Sequence, residues 1–404
     1  MKKLKVLVIG SEVSDFLCPM YKKMQENYPM EIDLVEPRKE WRNQSLIDAS
    51  FNAHHKLRFD LKLFSKSEWV SSILLAAFWK SFLTTFNLKE SVRVALVDQQ
   101  LKPLQQQADV ICFHNLSNHI LWLLKFIPLN KKLVLSFWGS DLFLNNINYS
   151  YAIQSKALQR ASHIIVHTPE MRLIALSKFG WQYEPKITAL LSTDFSEALQ
   201  NYIAGKEQAA MHLASFKHKY NIPGKATVVV VGHSAHELDN HLLVIPQLAK
   251  LENSIKEDCT FVFPMTYGNV GNYTETVKES CRQQGIKHLF LEEFLSDEDA
   301  IELKFASEIL VRLSKCDAFS LSLCETLAAG NLVIAASWLP YGNLRAYHVF
   351  YKEMNAFDLL PGVLTELLKN KETYKQQCAG NGQKILNFYT DQNSIEKLAK
   401  IYMN

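Results

Sequence analysis

The sequence predicts an α/β protein built as two Rossmann-like, doubly wound domains that face a central cleft. Three observations lead there. Apolar runs of strand length alternate with helical stretches along the whole chain, the pattern of parallel sheets covered on both faces. The rhythm restarts at "ATVVVVGHS" (226–234), directly after the basic, Pro- and Gly-bearing segment "SFKHKYNIPGK" (215–225). With 404 residues the chain is also too long for one compact core, so two halves of about 200 residues are expected.

In chain order, 5–9 reads as a strand ending at Gly10, and 31–35 as a second. "ADVICFH" (108–114), "KKLVLSFWGSD" (131–141) and "ASHIIVHT" (161–168) follow, with helical patterns at 151–160 and 170–179. After the restart come a helix at 237–250, the strand "CTFVFPM" (259–265) and a helix at 272–284. The strand "HLFLEEF" (288–294), a helix at 297–307 and the strand "EILVRLS" (308–314) lead to a helix from about 320, which ends at Gly330 before "NLVIAAS" (331–337). The domains are therefore expected at 1–215 and 216–385, with 386–404 a terminal helix returning to the first domain.

Composition narrows the function classes. Hydrophobic residues make up 48% and charged residues 21%, as in an ordinary globular protein, and the formal net charge of +3 argues against nucleic acid as a partner. The seven cysteines are scattered without a Cys-x-x-Cys pair, which points to a reduced, cytoplasmic setting. The start, "MKKLKVLVIG", reads as a first strand and not as a signal peptide. "WVSSILLAAFWKSFLTTF" (69–86) is about long enough to span a bilayer, yet Lys80 and several Ser and Thr interrupt it. Two readings stay open for it, a buried helix of the first domain and an interfacial helix with Lys62, Lys66, Lys80 and Lys89 beside its aromatic residues.

The chemistry concentrates in "SKCDAFSLSLCETLAAGNLVIAASWLPY" (314–341). A strand delivers the chain to a turn bearing Asp317, and a helix then begins near Ser320. The amides from about Ser320 through Leu321 and Ser322 to Leu323 would point into the crevice at the strand ends, a phosphate site needing no special side chain. Glu325, a turn further in, could accept both hydroxyls of a ribose, and Asp317 could reach a sugar beyond the diphosphate. The plain alternative makes Ser320 an N-cap, Asp317 a turn residue and Glu325 an ordinary helix carboxylate.

This stretch resembles the donor-site motif of GT-B glycosyltransferases, especially family 4, where two acidic residues separated by seven others precede a small-residue helix ending in Gly. The first is usually Glu, so Asp317 departs from the pattern. "VVVVGHSAHELDNHL" with "FVFPMTYGNVGNY" is similar to the bacterial 4-acetamido-4,6-dideoxygalactosyltransferases, through Gly232, Ser234, Asn240, His241, Pro264, Met265 and Tyr267. The resemblance implies that Glu325 binds the ribose and Asp317 positions the donor sugar. Gly232 permits a tight turn, the amides of His233 and Ser234 could face the diphosphate, and Thr266 and Tyr267 could frame the base. Family 4 presents an Arg and a Lys after that turn; this chain has no such pair there, and Arg312 is the candidate substitute, with a strand-end salt bridge as the alternative.

For the first domain, "CFHN" puts His114 at a strand end, and "SFWGSDLF" puts Asp141 at the next, similar to the "W-G-x-D" segments of the same superfamily. His114 could hydrogen-bond the donor sugar, and Asp141 could orient an acceptor hydroxyl or act as base; a structural role is the alternative for each. No metal or other cofactor is expected: "SDEDA" (296–300) reads as a helix start, and no His/Cys cluster has ligand spacing. The expected activity is transfer of a sugar from a nucleoside-diphosphate sugar to a saccharide or lipid-linked saccharide in cell-surface glycan synthesis, with a peripheral membrane location. The rivals are a nucleotide-sugar epimerase of the same fold and a non-catalytic sugar-nucleotide-binding partner subunit.

Overall fold

The computed structural model describes residues 3–10, 14–37, 44–144, 148–191 and 193–404. The chain divides into two compact units, Met1–Asp194 with Asn393–Asn404, and Phe195–Gln392.

The first unit holds a seven-stranded sheet: β1 (Leu4–Ile9), β2 (Met30–Glu36), β3 (Ala53–Lys56), β4 (Val110–His114), β5 (Lys132–Ser136), β6 (His163–Val166) and β7 (Ile187–Ala189). They run in the order β3-β2-β1-β4-β5-β6-β7, and every pairing is parallel. β4 is buried at all five positions, as a strand covered by helices on both faces must be. The order reverses between β1 and β4, which opens a crevice at their carboxyl ends. The sequence pattern misses β3 and β7; "AHHK" and "ITA" are short edge strands with no apolar run.

The second unit repeats the plan with β8 (Thr227–Val231), β9 (Cys259–Pro264), β10 (His288–Leu291), β11 (Ile309–Arg312), β12 (Leu332–Ala336) and β13 (Lys352–Met354), ordered β10-β9-β8-β11-β12-β13 and all parallel. β-branched "TVVVV" suits the central strand β8, and its reversal partner is β11.

Two boundaries differ from the sequence expectation. The second unit begins at Phe195 and not at 216, because the helices Ser196–Ala204 and Ala209–Lys219 pack within it. Tyr202 lies 5.6 Å from the Phe305 ring, and Ser215 Oγ donates to Glu302 at 2.7 Å. The unit also continues past 385 to Gln392, since Phe388 and Tyr389 pack on Phe319. The final helix, Ser394–Met403, then joins the first unit by burying Leu398, Ala399 and Tyr402 in its core.

Segment 69–86 is not one helix. Lys66–Ser72 is capped by a Ser65/Glu68 capping box and stops where Ser72 Oγ bonds back to the Trp69 carbonyl at 2.7 Å. A second helix, Ala76–Thr85, follows a tight turn. Among the described residues no helix is long and apolar enough to cross a membrane. The buried-helix reading is corrected as well. Phe78 is buried, but Trp79 is 50%, Leu83 66% and Phe86 78% exposed.

Candidate functional site

The residues singled out in the second unit do converge on one place, the carboxyl ends of β8, β9 and β11 at the strand-order reversal. Gly232 to Ser234 leave β8, Thr266 and Tyr267 leave β9, and Asp317 stands on the turn after β11. Gly232 has φ +71°, and a Cβ there would sit 2.5 Å from His241 Nε2, so only glycine fits.

After the turn comes the helix Leu321–Ala328. Ser320 is its N-cap, with Oγ accepting from Leu323 N at 3.2 Å. The ladder starts with Cys324 N to Ser320 O, so the N–H groups of Leu321 and Ser322 lie ahead of it, at the positive end of the helix. At the far end Gly330 takes φ +87°, with Gly330 N on Leu327 O and Asn331 N on Thr326 O, both 3.1 Å. That is a Schellman closure, and it sends the chain into β12.

Glu325 is almost covered, its side chain 16% exposed, and lies 3.4 Å from Lys304 Nζ. Burial pushes the Glu325 carboxyl up and the Lys304 ammonium down, while their mutual attraction opposes both shifts. Lys304 also donates to Ser322 Oγ. A cation therefore sits beside the first turn of this helix, supplied by the helix Asp297–Ala306.

Arg312 takes the second of its two expected roles, a strand-end salt bridge. It is 4% exposed, and its guanidinium is taken by two carboxylates, Asp239 and Asp317, the latter at 2.7 Å. Its two NH groups are directed at the chain's own carboxylates, and Nε has no partner among the described residues. The amides of His233 and Ser234 are corrected likewise. Both point at Asp239 Oδ2, at 3.4 and 3.1 Å, and Ser234 Oγ donates to the same oxygen at 2.7 Å. The chain's own carboxylate fills the nest that a phosphate was expected to occupy. Burial alone would raise the Asp239 pKa; the charges of His233 and Arg312 outweigh it and hold the carboxyl well below its usual range. Ser314 Oγ, 2.8 Å from Oδ1, completes its shell.

Asp317 is thereby preset. Its Oδ2 accepts from Arg312 and from Tyr341 Oη at 3.0 Å, while Oδ1 takes no part in this clamp. Sequence reasoning missed Asp239, Lys304 and Tyr341. Asp239 lies inside the quoted "HSAHELDN" segment, but nothing local marks it as the partner of an arginine 73 positions later.

In the first unit, His114 and Asp141 hold structure instead of facing a ligand. His114 is fully buried; Trp138 Nε1 donates to its Nδ1 at 3.0 Å, which leaves the proton on Nε2 to donate to Tyr21 Oη at 2.6 Å. Tyr21 in turn meets Tyr402 Oη of the last helix at 2.8 Å. With both nitrogens used, the ring has none left for a sugar. Asp141, 3% exposed, accepts from Leu116 N at 2.7 Å and from Trp138 N at 2.8 Å, tying two strand-end loops together. Burial lifts its carboxyl to about 6 against the pull of these backbone donors. A carboxylate so enclosed is a loop clamp and not a base.

Burial also pushes the His114 ring down to about 3. Below about pH 6.5 the unfolded chain takes up a proton that the folded one refuses, so stability falls as pH falls. Between pH 6.5 and 5 this amounts to about 2 kcal/mol. Glu36, lifted by burial to about 8, acts in the opposite sense, so a melting curve blends the two. NMR separates them: the His114 ring is expected to show no titration down to pH 5, and a mid-range titration there would contradict the neutral Nε2–H assignment.

Among the described residues no group of three or more His, Cys, Asp or Glu side chains is placed to hold a metal ion. The acidic start at 297–299 is a capped helix, with Ser296 Oγ accepting from Asp299 N at 3.1 Å.

No protein-family model and no curated protein sequence matches the chain. Solved structures do. A glycosyltransferase from Rickettsia africae ESF-5 superposes with a TM-score of 0.67 at 15% identity, covering 100% of this chain and 98% of that one. HepE from Anabaena, solved in complex with UDP and glucose, gives 0.70 at 12% identity, with 98% of each chain covered. A UDP-forming α,α-trehalose-phosphate synthase from Burkholderia xenovorans gives 0.69 at 10% identity, with 99% of each covered. Likeness over the full length, on two parallel sheets of Rossmann order, shows that this chain has the GT-B glycosyltransferase fold.

Proposed function

We propose that this chain is a glycosyltransferase that moves a sugar from a nucleoside-diphosphate sugar to a saccharide or lipid-linked saccharide acceptor. The observation that carries the reading is the second unit's strand-end crevice, where Asp317 and Glu325 bracket the free first-turn amides of Leu321 and Ser322. In that arrangement Glu325 accepts the ribose hydroxyls, and Asp317, held through Oδ2, offers Oδ1 to the donor sugar. The leaving diphosphate takes the helix-start amides, with Lys304 as the nearby positive charge in place of Arg312. Structural neighbours that hold UDP or form it support a nucleotide donor. As the bond from the anomeric carbon to the acceptor oxygen forms, the bond to the diphosphate breaks, its electron pair leaves with the phosphate, and the acceptor hydroxyl's proton passes to the departing diphosphate. The acceptor belongs to cell-surface glycan synthesis and is met at the cytoplasmic face of a membrane.

A thermal-shift panel of UDP-, GDP- and dTDP-sugars tests the reading. A ligand at a hundred times its Kd is expected to stabilise the folded chain by about 2.7 kcal/mol. Donor incubated alone distinguishes the rivals: an epimerase would convert the sugar, whereas the transferase releases nucleoside diphosphate at speed only when acceptor is added. A chain that no nucleotide sugar stabilises would sink the proposal.

A further inference from the structure

We propose that residues 70–88 form a docking face for a lipid bilayer carrying anionic headgroups, which names the surface behind the membrane location proposed above. Of the 24 large hydrophobic residues exposed among the described residues, eight lie between Leu63 and Leu88. Single exposed apolar residues are ordinary; a third of them within 26 positions is a patch. The helix Ala76–Thr85 shows how it arises. Phe78 and Phe82, with Leu75 ahead of them, pack against Val92, Ala95 and Leu96. Trp79, Leu83 and Phe86, at helical spacing beside that row, stay in solvent at 50%, 66% and 78% exposure, and Leu74 before them is 86% exposed. A helix anchored through one aromatic row with a second left out has the form of an interfacial helix.

Charge selects the occupant. Lys62, Lys66, Lys80 and Lys89 are exposed along the same stretch, and none lies within ion-pair distance of a carboxylate among the described residues. Of the nearby acids, Asp60 caps the turn Leu61–Leu63, Glu68 is held by Arg58 at 2.7 Å and by Ser65, and Asp98 feels Lys80 and Lys102 at longer range. An aromatic and aliphatic face set among exposed lysines complements a negatively charged headgroup layer. A second copy of the chain fits worse, since a two-fold contact through this face would bring the same lysines together.

The test is co-sedimentation of the full chain, without nucleotide sugar, on vesicles of phosphatidylcholine alone and of phosphatidylcholine mixed with phosphatidylglycerol. The wild-type chain is expected to partition onto the anionic vesicles. A triple variant, Trp79→Ser, Leu83→Ser and Phe86→Ser, should lose on the order of 100-fold in partitioning while its melting temperature holds, because the three side chains are largely outside the core. Changing the four lysines to Gln should erase the preference for anionic lipid. The proposal is overturned if the wild type ignores anionic vesicles or the triple variant binds them equally well. A concentration-dependent dimer that the triple variant abolishes, with no vesicle binding, would also overturn it and assign the face to self-association. Because no sugar nucleotide is present, failure here leaves the donor assignment standing.

Discussion

Asp239→Ala is expected to remove about 3–5 kcal/mol of stability from the second unit, the cost of breaking a buried ion pair from one side. Asp239 balances Arg312 and also accepts from Ser314 Oγ, Ser234 Oγ and the Ser234 amide, all out of water. Without it a guanidinium 4% exposed retains Asp317 as its one carboxylate among the described residues, and the turn after β8 loses the group that organises it. Urea unfolding followed by hydrogen exchange at the β8 and β11 amides measures the loss and assigns it to this unit. Replacing Asp239 by Leu, Arg312 by Met and Asp317 by Asn together should cost less than replacing Arg312 alone, because no charge is then stranded. A single-variant loss below about 1 kcal/mol would mean that the pair is solvated and that the phosphate-like nest is incidental.

Glu325→Ala is expected to weaken nucleotide-sugar binding by about 10- to 100-fold, the usual worth of hydrogen bonds to a charged acceptor. The helix that carries Glu325 is fixed at both ends, by Ser320 and by Gly330, so the fold should persist although Lys304 loses its partner and stability falls. Calorimetry with a nucleoside diphosphate and with the bare nucleoside discriminates the cause. If Glu325 holds the ribose, both affinities fall. If it serves only to steady Lys304, the loss appears with the diphosphate alone. Unchanged affinity for both would remove Glu325 from the site.

The segment 314–341 was legible because its instructions are local. Ser320 caps within three residues, Gly330 stops the helix by its own φ, and the apolar run after it can only be a covered strand. The same holds for β1, β4, β5 and β6, whose apolar runs announce a parallel sheet. Edge strands such as β3 and β13 carry no such run, and Ser72, which helps to end the first helix of 69–86, acts through a backbone bond that a hydropathy pattern does not register.

What the sequence determined by itself, then, was the class of fold and which strand ends would bear acidic and small residues, because periodicity, caps and turns operate over a few neighbouring positions. The tertiary structure decided which of those residues remain available to a ligand. Arg312 looked like a free cation until the order β8-β11 set Asp239 beside it; His114 looked like a cleft residue until Tyr21 closed over it and met Tyr402, 381 positions away. Such pairings arise only when separate strands and helices are brought side by side, and burial then makes each polar group take the nearest partner in place of water.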